Sequence, residues 1–229
     1  MRRLWPRTRD EQIEYHLKRN DAPEFDKQQP GRVDLARFLV DKILKKDLTR
    51  RPLTFIELGC GAGDITGPYA SESWAEATTF GDMLANQRTQ LRVPEIEVHG
   101  YDVVPIAQEV CATRWPLMQF HLGRVEDAIP IECDLLVMCE FLEHVDDPIS
   151  IVKEWLPLAK WAIIGHPLNE PSPPYETGHI WSYTREDWYA WFEMGGHHVW
   201  ERFEFPMGYY DPMVMGHSCR IDQPPFAAP

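Results

Sequence analysis

Residue types able to do chemistry gather in two short stretches. The first is "FIELGCGAGDITGPYA" (55–70). There an apolar run ends on Glu57, glycines follow at 59, 61 and 63, and Asp64 comes next. Glycine tolerates positive φ and lets a ligand approach bare backbone. The second is "CEFLEH" (139–144). On one helical turn Glu140 lies three and four residues from Glu143 and His144, so two carboxylates and an imidazole can converge. Such a set suits Mg²⁺ or Mn²⁺, and His179 in "ETGHIWSYTREDW" is a candidate fourth ligand. The same residues also read without a metal, as pocket lining or a helix cap, with His144 or His179 serving as a general base.

Both stretches need a scaffold, and the hydrophobic pattern supplies one. "RVDLARFLVDKILKKDL" (32–48) carries apolar residues at helical spacing, and "PLTFIEL" (52–58) reads as a buried strand. "EIEVHGYD", "LMQFHLG", "CDLLVMC" and "KWAIIGHP" read as further strands. Between them lie helices: "PIAQEVCATRW" opened by Pro105, "DDPISIVKEWLPLA" with an Asp cap and Pro148, and the Thr-capped "TREDWYAWFEMGG". "HHVWERFEF" and "MVMGHSCRI" pattern as a closing antiparallel pair. Alternating strands and helices imply an α/β fold with a mostly parallel sheet covered on both faces. Residues 1–31 are expected to form an arm or lid, residues 32–229 the domain, and residues 72–94 an insertion. The arm and the 32–48 helix are expected over the ligand cleft.

A strand–glycine loop–helix unit at the carboxyl edge of such a sheet is a ligand site. Asp102 ends the next strand, where a carboxylate can accept both hydroxyls of a ribose. The spacing G-C-G-A-G departs from the dinucleotide pattern G-x-G-x-x-G. Asp64 and Glu57 would repel a pyrophosphate. They suit a nucleoside bearing an amino group and a sulfonium.

"IELGCGAGDIT", "VHGYDV", "HLGRVEDAIP" and "CDLLVMCEFLEHVDDP" together resemble the successive motifs of class I S-adenosylmethionine-dependent methyltransferases, over residues 53–205. The resemblance implies a Rossmann-like, doubly wound, seven-stranded sheet, mostly parallel with its last strand antiparallel. It assigns Glu57, Gly59, Gly61 and Gly63 to the methionine part of the cofactor, Asp102 to the ribose and the "RVED" turn to adenine. Cys60, Val103, Val125, Glu126 and Cys139 join the cofactor contacts, although the Cys60 thiol itself reads as packing. Where many members carry Asp after the turn's glycine, this chain has Arg124. The adenine amino group is then left to Glu126, Asp127 or backbone. The E-x-x-E-H…H pattern is similar to the O-methyltransferases of ubiquinone biosynthesis. It is also similar to the small-RNA 3′-terminal 2′-O-methyltransferases, whose helix entry also reads His, aromatic, Thr-Arg. "LEH" occurs as well in metal-free members of the superfamily.

Methyl transfer from a sulfonium is an in-line displacement, so the acceptor side decides function. "HPLNEPSPPYETGHIWSY" (166–183) is held extended by prolines and could wall an acceptor pocket with Tyr175, Trp181 and Tyr183. Trp188, Trp191 and Phe192, at helical spacing, read as core, and the "GGHH" pair as a helix end leading into a strand. A net charge of −13 disfavours a long nucleic-acid substrate. Five scattered cysteines with no C-x-x-C pair read as free thiols of a reducing, cytoplasmic setting. No apolar run is long enough to span a membrane or follow the basic N-terminus as a signal segment. The expected activity is methylation of a small-molecule acceptor, more readily at oxygen. The alternatives are an RNA 3′-end 2′-O-methyltransferase, a non-methylating enzyme of the same fold, and a cofactor-binding module without catalysis.

Overall fold

The computed structural model describes residues 1–4, 11, 14, 30–46, 52–70, 95–171, 178–207 and 210–222. The expected 72–94 insertion, most of the N-terminal arm and Tyr175 lie outside these residues.

The longer strands follow the predicted pattern closely, and two two-residue strands had no signal in the sequence. In chain order they are β1 (Arg2–Arg3), β2 (Leu53–Leu58), β3 (Ile96–Asp102), β4 (Gln119–Leu122), β5 (Cys133–Cys139), β6 (Ala159–Pro167), β7 (Trp181–Ser182), β8 (His197–Met207) and β9 (Tyr210–Arg220). The helices described in full are α1 (Pro30–Lys46), α2 (Pro105–Arg114), α3 (Pro148–Trp155) and α4 (Arg185–Met194). Local chemistry sets the helix starts. Pro105 opens α2, whose first N–H would have no helical partner. The Asp147 side chain accepts from Ser150 N ahead of α3. Thr184 and Asp187 form a reciprocal capping box on α4.

Seven strands make one sheet in the order β4-β3-β2-β5-β6-β9-β8. β9, the last strand, runs antiparallel to both neighbours, and the other pairings are parallel. Alternate residues of the central strands enter opposite layers. Phe55, Leu135, Val137 and Ile163 pack with α1 and Cys111 of α2, while Ile56, Leu58, Leu136 and Ile164 pack with α3 and α4. Fully burying one such side chain, Leu136 for example, contributes roughly 1.5–3 kcal/mol. Trp188, Trp191 and Phe192 lie in this core, as their spacing implies.

Two features of the architecture differ from expectation. α1 packs on the sheet against β6 and β9, so its apolar stripe serves the core. It touches the glycine loop only from beside it, where the Arg37 guanidinium donates to the Asp64 carbonyl at 2.7 Å and Tyr69 donates to Asp41 at 2.8 Å. A second sheet, β1 with β7, joins the N-terminus to the segment after His179.

The strand order reverses between β2 and β5, which are adjacent and parallel. Chains leaving the carboxyl ends of those two strands diverge and open a crevice. The glycine loop leaves β2 and Glu140 leaves β5, so both chemical stretches flank this one crevice.

Candidate active site

The glycine loop is built from left-handed backbone. Gly59, Gly61 and Gly63 have φ of 70°, 51° and 70°. At Gly59 the requirement is double, because a Cβ there would sit 2.6 Å from Cδ2 of Phe141. The amides of Gly59 and Cys60 both donate to the Tyr101 carbonyl, at 2.9 and 3.1 Å. Asp102 closes the loop from the neighbouring strand. Its Oδ2 accepts from Gly61 N at 2.8 Å and its Oδ1 from Val104 N at 3.0 Å. Burial raises the Asp102 pKa, opposed by the hydrogen bonds from Gly61, Val104 and Val103.

Glu57 is buried and braces the loop. One carboxylate oxygen accepts from both the amide and the hydroxyl of Thr66, at 3.0 and 2.6 Å. Burial pushes its pKa up to about 7. The two Thr66 bonds act downward, and Asp64 and Asp102 add upward. Cys60, expected to pack, is buried against Gly100. Cys139 and Val125 are buried, and Val103 is half-buried beside Asp102. Arg124 stands before the short turn Val125–Asp127, 4.0 Å from Asp127, and Glu126 faces an acidic cleft with Asp146, Asp147 and Glu154.

On the other bank, Glu140 leaves β5 with φ of 54°, in the left-handed region that a non-glycine residue rarely occupies. Its amide donates to the Gly165 carbonyl at 2.8 Å, which fixes the turn. Such strain is held where the surroundings over-determine it, commonly at functional sites. A single 3₁₀ turn, Leu142–His144, then presents Glu143 and His144.

Glu143, His144 and His179 each place one ligand-type atom within 4.8 Å of the others. Glu140 stands outside that spacing, but its charge acts on both Glu143 and His179. The His144 ring nitrogen Nδ1 lies 3.0 Å from the Gly178 carbonyl, which can only accept, so Nδ1 carries the proton there. Glu143 is fully buried, and among the described residues neither of its carboxylate oxygens accepts a hydrogen bond. Burial and then the Glu140 charge push its pKa up to about 8, with His179 pulling the other way. At His179 burial acts downward. It is outweighed by a hydrogen bond to Glu170 and by the charges of Glu143, Glu170 and Glu140, so the net direction is upward.

The aromatic wall is partly reassigned. Tyr183 is buried in the core, its hydroxyl donating to the Leu142 carbonyl at 2.7 Å. Trp181 is half-buried and donates to Val145 O at 2.8 Å. Both aromatics therefore fasten the Leu142–Val145 turn. Glu170 escaped the sequence reading altogether. It sits in a polar, proline-flanked stretch that resembles any solvated loop, and the only local signal was its place just after a strand at the crevice edge.

No family model matches the chain, and no curated protein matches it in sequence. The seven-stranded order with its antiparallel last strand is nevertheless that of the class I S-adenosylmethionine-dependent methyltransferase fold. Among solved structures, the magnesium protoporphyrin IX methyltransferase of Synechocystis with bound S-adenosylmethionine superposes with a TM-score of 0.59 at 15% identity. That match covers 91% of this chain and 97% of that one. A TehB-like S-adenosylmethionine-dependent methyltransferase from Corynebacterium glutamicum gives 0.52 at 15% identity, over 93% and 100%. A [4+2]-cyclase, SpnF, gives 0.53 at 9% identity, over 80% of each chain. Identities this low speak to fold, and the cyclase illustrates that the fold alone does not fix the reaction.

Proposed function

We propose that the chain is an S-adenosylmethionine-dependent methyltransferase that modifies an oxygen of a small-molecule acceptor. In this reading Glu143, His144 and His179 hold a divalent ion, Mg²⁺ or Mn²⁺, beside the methyl group, and Glu140, outside their spacing, acts on them through its charge. The observation that carries it is Glu143: a fully buried carboxyl whose oxygens accept no hydrogen bond among the described residues, facing two imidazoles. Burying a carboxylate without partners is expensive, and a cation is the group that makes it favourable. Hard oxygens with imidazole nitrogen fit Mg²⁺ or Mn²⁺.

S-adenosylmethionine supplies a methyl group already activated as a sulfonium, and a divalent ion supplies the charge that lowers the pKa of an acceptor hydroxyl. The protein's own residues do the rest. The glycine loop takes the methionine part of the cofactor, and Asp102 takes the ribose hydroxyls in addition to the bonds its oxygens accept from Gly61 and Val104. Glu57 keeps the loop in shape through Thr66. The left-handed turn at Glu140 sets the acceptor-side groups across the crevice from the loop. His144 and His179 present Nε2, the nitrogen opposite the one each commits to Gly178 or Glu170. The net charge of −13 favours a small acceptor over a long polyanion. Five free, buried cysteines fit a cytoplasmic setting.

The test is methyl transfer from labelled S-adenosylmethionine to a panel of phenols, polyols and short RNA ends, with and without a chelator. The expected result is turnover of a small hydroxylated acceptor that chelation or Glu143→Ala abolishes. Full activity in chelator excludes the ion, preferred turnover of RNA ends overturns the small-molecule assignment, and no shift in Tm at millimolar cofactor excludes the cofactor.

A further inference from the structure

The Glu170 carboxylate is 1% exposed, and its Oε2 lies 2.5 Å from Nδ1 of His179, itself 2% exposed. A buried pair of this kind is weak as a source of stability, because desolvation offsets most of the attraction. Its geometry is nevertheless heavily constrained. Leu168 bridges to Tyr183, and Asn169 N donates to the Tyr183 carbonyl at 2.7 Å. Asn169 is left-handed, with φ of 52°. The Arg2 guanidinium donates to the Glu170 carbonyl at 2.5 Å. On the other side Ile180 N donates to the Glu143 carbonyl at 2.9 Å, and Leu4 N to the Ile180 carbonyl at 2.8 Å. Both backbones are therefore pinned, and the carboxylate meets the imidazole in one orientation.

We propose that Glu170 is the positioning residue of His179: it holds the ring with Nδ1 protonated and so presents Nε2, as a lone pair, to the space shared with Glu143 and His144. A neutral imidazole has one donor and one acceptor, and a carboxylate on Nδ1 selects which is which. In the opposite tautomer Nε2 would carry a proton and could neither bind an ion nor take a proton from an acceptor. A carboxylate behind a ligating histidine typically raises ion affinity about 10–100-fold. The inference rests on the reading that His179 works in the site.

The test uses the full chain with ¹⁵N-labelled histidine, with His179→Gln to assign the ring signals, and two substitutions at Glu170. Glu170→Met keeps the length but removes the acceptor, and Glu170→Gln keeps an acceptor without charge. In wild type His179 should be protonated at Nδ1. Glu170→Met should shift protonation toward Nε2, and Glu170→Gln should restore much of the wild-type pattern. Mn²⁺ alone, titrated by EPR, should bind about 10–100-fold more weakly to Glu170→Met, with a smaller loss in Glu170→Gln. Affinity for S-adenosylmethionine should stay at the wild-type value. A neutral His179 whose proton sits on Nε2 in wild type overturns the proposal, even if Glu170→Met fails to fold. Unchanged tautomer and Mn²⁺ affinity in Glu170→Met also overturn it. If wild type binds no Mn²⁺, the ion reading fails separately, and the tautomer comparison still decides the role of Glu170.

Discussion

Replacing Glu143 by Gln should make the ion-free protein more stable at mildly alkaline pH, and the size of the gain can be worked out. With no ion present, burial and the Glu140 charge hold the Glu143 pKa at about 8, against an ordinary 4.5. A carboxyl raised in the folded state gives native protein that binds more protons than unfolded chain, so stability falls as pH rises toward the folded pKa. From about pH 6 to about pH 8 the unfolded carboxyl is ionised throughout, while the native one goes from protonated to half-ionised. Integrating the proton difference gives a loss of about 2 kcal/mol over that interval. For a chain of this size that is roughly 4–8 °C in Tm. Glu57, raised to about 7, acts in the same direction, and His166 and His197, lowered to about 4, act oppositely. The difference between wild type and Glu143→Gln isolates the Glu143 contribution. Calorimetry in chelator at the two pH values is the assay. Mn²⁺ should restore wild-type stability most strongly at the higher pH, where it no longer competes with a proton, and should do little for Glu143→Gln. Equal pH dependence in wild type and variant would refute the reasoning, because Glu143 would then be charged and satisfied in the fold.

Two further outcomes are expected. Gly59→Ala combines a left-handed φ of 70° with a Cβ 2.6 Å from Phe141, and should destabilise by about 2–4 kcal/mol and weaken cofactor binding. Adding Phe141→Ala should not bring stability back to wild type, because the backbone strain remains; urea denaturation and isothermal titration of the cofactor measure the two effects. At acid pH, His197 sits between Ser218 and the Leu156 carbonyl, both at 2.9 Å, and burial lowers its pKa to about 4. The stability that its neutral form provides is complete above the unfolded value of 6.5 and lost as pH falls toward 4, and a His197→Gln variant should flatten that part of the acid-unfolding curve.

The glycine-loop bank of the crevice was legible because backbone chemistry governs it. Strand periodicity located β2 and β3, and their ends put Gly59, Gly61, Gly63 and Asp102 together without any need to know how side chains pack. The role of Glu57 was less legible. Its carboxylate suggested a ligand contact, but the partner that completes its geometry is Thr66, nine residues on, in a turn whose path no local pattern specifies. Amphipathic spacing in α1 announced a buried stripe and could not say what would cover it, so the helix belongs to the sheet face and not over the cleft. Tyr183 had the composition of a pocket wall, yet its hydroxyl is spent on Leu142.

The bank that carries Glu143, His144 and His179 was legible only as a set of residue types, because its geometry is tertiary. Glu143 and His144 ride on a turn that Trp181 and Tyr183 fasten from a distant segment, and His179 reaches them because Ile180 pairs with both Leu4 and Glu143. Arg2 and Arg3 carry no periodic signal, and a two-residue strand offers none, so the β1–β7 pairing could not be seen from either partner alone. Glu170 lies deeper still. A glutamate among prolines reads as solvated, and only the left-handed turn at Asn169 drives it into the interior. What fixes the geometry of the Glu143, His144 and His179 cluster is therefore the register of a short strap on a loop. Substitutions in that strap, distant in sequence from every candidate ligand, should alter the Glu143, His144 and His179 cluster while leaving the glycine loop and its affinity for S-adenosylmethionine intact.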